Sequence, residues 1–153
     1  MHTTNTLRSG DIPQADRLVT VRQVLNEMAH GNKTVAGISE ATSVSPRHVQ
    51  YRSQTARILR LIKPDGSVTP AGAALLETTQ GSPEETRVWR RVISSCPTVR
   101  IVAPDLFDKE AIARTTLTDR IQAVTDLSRA TAERRAMVFS SWRRQLLAPA
   151  KEN

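Results

Sequence analysis

Apolar residues recur at helical spacing along most of this 153-residue chain, and Ser, Thr, Gly and Pro interrupt them at short intervals. Leu18, Val21, Val24, Leu25 and Met28 predict a helix between Ala15 and His30, closed by Gly31-Asn32. Val35 to Thr42 reads as a short helix, Ser43-Val44-Ser45 as a turn, and Pro46 to about Ile62 as a longer helix. Ser45 can cap the free amides of that helix, and Pro46 suits its first position. Lys63-Pro64-Asp65-Gly66-Ser67 must turn, and Thr69-Pro70 and Ser82-Pro83 each announce a new helix. Beyond Ser95, Val99 to Val102 reads as a short strand and Asp105 to Arg114 as a helix. Leu117 to Thr125 and Ser128 to Leu147 read as a short and a long helix.

One phrase is written twice. Val35–Arg52 and Thr118–Arg135 align at a constant offset of 83 positions, pairing Ile38 with Ile121, Val44 with Leu127, Ser45 with Ser128, Val49 with Ala132 and Arg52 with Arg135. Each copy is a short helix, a turn ending in Ser, and a longer helix opening on polar and basic residues. A helix-turn-helix is built this way to enter the DNA major groove. The expected fold is therefore mainly α, with two tandem helix-turn-helix, winged-helix-like modules and a minor β-wing at 63–69. The expected organisation is a flexible arm over 1–14, a first module over 15–81, a second over 82–147 and a loose tail over 148–153.

Charge supports nucleic acid as the partner. The net charge is +7, and a cut at Ser82 leaves nine Lys and Arg against six Asp and Glu before it, and thirteen against nine after it. Both halves are basic, which suits two binding modules. Aromatic content of 3% argues against a single-strand binder built on stacked rings. The single cysteine, Cys96, excludes an internal disulfide and a Cys-based zinc site, and points to a cytoplasmic setting. Neither a membrane span nor a signal peptide is visible.

The candidate DNA-binding residues follow from the two longer helices. In the first, Arg47, His48, Gln50, Tyr51 and Arg52 stand at its opening behind Ser45. Arg and Gln can make two-pronged contacts to guanine and adenine edges. In the second, Ser128, Arg129, Thr131, Arg134 and Arg135 occupy the same place. Lys63 and Ser67 in the wing can meet the DNA backbone or the minor groove, with an ordinary hairpin loop as the equal alternative. A solvated helix face, or ion pairs with Glu133 or Asp126, is the bland alternative. Arg87, Arg90 and Arg91 suit solubility or phosphate better than base reading. No cofactor or metal is expected. The acidic string Asp105, Asp108, Glu110 with Lys109 lacks the acid-x-Lys spacing of a metal-dependent nuclease and reads as a helix start.

V-S-P-R-H-V-Q-Y-R followed by V-T-P-A-G-A-A-L-L resembles a winged helix, and L-S-R-A-T-A-E-R-R-A-M-V-F-S-S-W resembles the closing helix-turn-helix of recognition modules in some restriction endonucleases. The resemblance implies base contacts from Arg47, His48, Gln50, Arg129, Thr131 and Arg134, with cutting left to a separate nuclease domain or subunit. The expected function is sequence-specific recognition of double-stranded DNA in a restriction-modification or defence system, without enzymatic activity of its own. The two helices would read successive major-groove segments. A small transcriptional regulator is the nearest alternative, and a winged-helix protein-interaction module is the alternative of another class.

Overall fold

The computed structural model describes residues 7–147; residues 1–6 of the expected arm and the expected tail 148–153 lie outside the described residues. The chain is mainly helical: α1 Leu18–Ala29, α2 Val35–Thr42, α3 Pro46–Ile58, α4 Pro70–Glu77, α5 Pro83–Ser95, α6 Pro97–Val102, α7 Arg114–Val124 and α8 Arg129–Leu147. Hydroxyl caps fix most of the helix starts. Thr34, Ser45, Thr69 and Ser82 each accept a hydrogen bond from the backbone amide three residues on, and Pro holds the first position of α3, α4 and α5.

Among the described residues no strand forms. The expected wing is a tight hairpin whose β character is one antiparallel bridge between Ile62 and Val68. Lys63 N donates to Ser67 O at 2.8 Å, and Gly66 turns the chain at φ +86°. α4 docks closely on this hairpin: a Cβ at Gly72 would sit 2.3 Å from the Leu61 carbonyl oxygen, so only glycine fits. Arg22 of α1 ties the far end of α4 in place. Its guanidinium donates to the carbonyls of Leu75, Leu76 and Thr78 and pairs with Glu85 of α5 at 2.6 Å.

Three expectations are corrected. Val99–Val102 belongs to α6, because Pro97 sets the first helical turn and Val99 and Val102 bury one face together. The segment before α7 is irregular rather than a helix over Asp105–Arg114, because its backbone acceptors are taken elsewhere. Arg143 of α8 donates to the carbonyls of Leu106, Asp108 and Lys109, and Arg120 of α7 grips the Asp105 carboxylate through two guanidinium nitrogens, at 2.7 and 3.1 Å. Finally, the described part of the arm, Leu7–Gln14, is packed. Ile12 is fully buried, and polar composition concealed the docking because most of its bonds are made by the carbonyls of Ser9, Gly10, Asp11 and Ile12.

The core is continuous. Buried residues from Ile12 to Leu146 form one cluster that crosses the expected boundary at 81–82, with Trp89, Phe139 and Trp142 among its largest members. Burying each such side chain is worth about 1.5–3 kcal/mol relative to exposure. Phe139 and Trp142 meet edge to face, with ring centroids 5.7 Å apart.

Candidate nucleic-acid interface

The repeat found in the sequence has a counterpart in hydrogen bonds. At the offset of 83, Ile38 and Ile121 are both fully buried, as are Val49 and Ala132. Ser45 caps α3 by accepting from His48 N, and Ser128 caps α8 by accepting from Thr131 N. Two further equivalences escaped the sequence reading. Thr42 donates to Ile38 O at 2.7 Å, and Thr125 donates to Ile121 O at 2.7 Å. Ser39 donates to Val44 O, and Gln122 donates to Leu127 O. Matched Thr42 and Thr125 were visible in the aligned phrases; Ser39 and Gln122 were hidden because unlike side chains do the same work. The turns themselves differ. Ser43, the residue that ends α2, takes the left-handed conformation at φ +58°, whereas Thr125, the residue that ends α7, is extended.

The opening of α3 presents a polar face free of carboxylates. Arg47, His48 and Gln50 are exposed there, together with Ser45 and Pro46. Tyr51 organises them. Arg47 Nε donates to its hydroxyl at 2.8 Å with the guanidinium over the ring, and His48 meets the ring edge on. Ser45 Oγ and His48 Nδ1 share a 2.8 Å hydrogen bond. The Gln50 side chain makes no hydrogen bond among the described residues. Arg52 stands apart from this face: it is half-buried, and burial, then the nearby Arg17 charge, pushes its guanidinium below the usual arginine value.

The opening of α8 is committed differently. Arg129 pairs with Asp119 and Glu133 and donates to Gln122, so its charge is answered inside the chain. Thr131 is half-buried, sharing a hydrogen bond with Ser128 and receiving one from Arg134 Nη2 at 3.1 Å. Arg134 is exposed and makes no ion pair among the described residues. Arg135 turns inward to the arm, donating to Ser9 O at 2.9 Å and Ile12 O at 3.1 Å. Burial, then the Arg134 charge, lowers its pKa, while Tyr51 of α3 acts in the opposite sense.

The structure thus gathers Arg47 and His48 on Tyr51 beside the exposed Gln50, and the arm joins this helix, through Gln54, to Arg135 of α8 with Arg134 beside it. It leaves Lys63 outside this group, on the hairpin that packs beside Lys33 and α4. The sequence reading missed the arm as a site element. Gln54 of α3 donates to Gly10 O at 2.9 Å, and Thr55 of α3 accepts from Ala15 N at 3.1 Å. Trp142 of α8 donates to Ala15 O at 3.1 Å, and Gln145 of α8 donates to Asp16 O.

Elsewhere, Arg87, Arg91 and Arg100 on α5 and α6 make no ion pair among the described residues, and Arg90 lies over the Phe107 ring at 5.1 Å. Cys96 is buried, and burial raises its thiol pKa. Among the described residues no three His, Cys, Asp or Glu side chains gather as a metal-holding group, and no helix is long and apolar enough to cross a membrane. No protein-family model, curated protein or solved structure matches this chain.

Proposed function

We propose that this chain is a sequence-specific double-stranded DNA-binding protein in which α2–α3 and α7–α8 are two helix-turn-helix units. The observation that carries the reading is the opening of α3. Directly behind a Ser-capped turn stand Arg47, His48 and Gln50, exposed, adjacent and with no carboxylate on their helix. These side chains have the donors and acceptors that base edges in the major groove require. The net charge of +7 supplies the non-specific attraction to phosphate.

The role we favour is target recognition in a restriction-modification or defence system, with any cutting done by a separate domain or subunit. Two unlike helix openings on one chain suit an asymmetric site. A dimeric transcriptional regulator would instead select a palindrome.

The test is selection of bound duplexes from a random library at near-physiological salt. An enriched motif is the expected result, and its symmetry separates the two roles. Binding that stays salt-sensitive and without sequence preference would overturn sequence-specific recognition and favour a protein-interaction module. Neutralising ~6 phosphates should give a slope of log affinity against log salt of about −5.

A further inference from the structure

The arm sets a limit on how far apart the two reading helices can be. Ala15 is held from both sides, its N–H by the Thr55 hydroxyl on α3 and its carbonyl by the Trp142 indole on α8, each at 3.1 Å. From ordinary bond lengths, the Thr55 and Trp142 Cα atoms can then be no more than ~18 Å apart. A second pair of bonds repeats the constraint a few residues earlier in the arm. Gln54 holds Gly10 O while Arg135 holds Ser9 O and Ile12 O. Those two helix positions lie within ~25 Å of each other on the same reasoning. Successive major-groove segments on one face of B-DNA lie about 34 Å apart.

The polar groups converge rather than diverge from these anchor points. Arg47 reaches back along α3 to the Tyr51 hydroxyl, one turn from Gln54, and Gln54 and Arg135 hold neighbouring carbonyls of the arm. Arg134 immediately precedes Arg135 on α8. One major groove, about 12 Å wide, admits a single helix. The helix left outside must then lie against the flanking backbone, and electrostatics decides which that is. α3 carries no carboxylate, whereas Asp119 and Glu133 crowd the start of α8 and occupy Arg129.

We infer that α3 and α8 form one composite surface for a single stretch of duplex, with α3 in the major groove and Arg134 of α8 on the adjoining phosphates. The arm residues Ser9–Ala15 are the spacer that sets this geometry, and Arg135 and Gln54 are positioning residues. This inference rests on the DNA reading above and replaces the expectation of two readers in successive groove segments.

The test measures affinity by fluorescence anisotropy for mixed-sequence duplexes of 10, 14, 18, 24 and 30 base pairs, corrected for the number of binding positions. A composite surface should reach its full affinity by about 14 base pairs, little more than one helical turn. A further tenfold or greater gain between 14 and 24 base pairs would overturn the composite surface and leave DNA binding intact. Failure to bind any duplex would overturn the DNA reading and this inference with it.

Two variants divide the roles. Arg134→Ala should weaken binding to all sequences alike and make the salt slope about 1 shallower. Arg135→Ala, with its helical circular dichroism confirmed, should weaken binding at least threefold with the salt slope unchanged. Gln54→Ala is the milder variant of the same kind should Arg135→Ala fail to fold. A slope that falls by about 1 in Arg135→Ala would place that guanidinium on a phosphate and remove its positioning role. An unchanged slope in Arg134→Ala would remove α8 from the phosphate contact.

Discussion

The α2–α3 and α7–α8 regions share a frame and differ in what they do with their charges. Both bury an isoleucine in the short helix, close the turn with a threonine bonded four residues back, and cap the long helix with serine. On α3 the basic and amide side chains at the opening face solvent. On α8, Arg129 is answered by Asp119 and Glu133, and Arg135 is turned into the arm. The lesson is that a repeated helix frame does not repeat its chemistry. Where a guanidinium finds carboxylates or carbonyls within its own chain, it supports the fold; where it finds none, it is available to a ligand.

The comparison can be broken first at the level of stability. Leu59 and Trp142 occupy matching positions, and both are buried. Trp142→Ala should cost about 3–5 kcal/mol, and it also leaves the Ala15 carbonyl without its donor; Leu59→Ala should cost about 2–5 kcal/mol. Urea unfolding checks both. Because one core crosses the two regions, each variant should still unfold in a single transition. Two separate transitions would show that the regions are independent units.

A sharper comparison concerns binding. Arg47→Ala should lose about 1–3 kcal/mol on a selected duplex and relax the preference at one base. Arg129→Ala removes an exposed guanidinium already paired within the chain, and should leave affinity nearly unchanged. Equal losses in the two variants would show that the openings of α3 and α8 are used alike.

The smallest expected difference is between the two threonines. Thr125 is buried, and its hydroxyl both donates to Ile121 O and accepts from Leu127 N. Thr125→Val should therefore cost about 1–2 kcal/mol, and Thr42→Val, at a half-buried position with one such bond, about 1 kcal/mol or less. Thermal melting of the two variants side by side decides the order.

Much of the candidate site was legible in the sequence because its signals are local. Ser45-Pro46 and Ser82-Pro83 mark helix starts by a cap and a fixed φ, and the offset of 83 survives as matched apolar residues. The β-branched run Val99–Val102 misled, because the proline ahead of it and one buried face outweigh strand propensity. Asp105 and Asp108 suggested a helix start, but long-range arginines take the acceptors that a helix would have used. Glu133, four residues on, was the local hint that Arg129 is paired; nothing local distinguishes Arg135 from Arg47.

By itself, then, the sequence determined α1 to α5, α7 and α8 and the hydroxyl caps, since each depends on residues within a few positions of one another, and it carried the duplicated frame and the basic character of the chain. The tertiary structure decided which arginines remain available, because an ion pair such as Arg129–Asp119 or a docked arm under Arg135 requires distant segments to meet. It also decided the spacing of α3 and α8. That spacing is set by backbone groups of Gly10 and Ala15, and backbone N–H and C=O groups are the same in every sequence and become specific only by where the fold puts them.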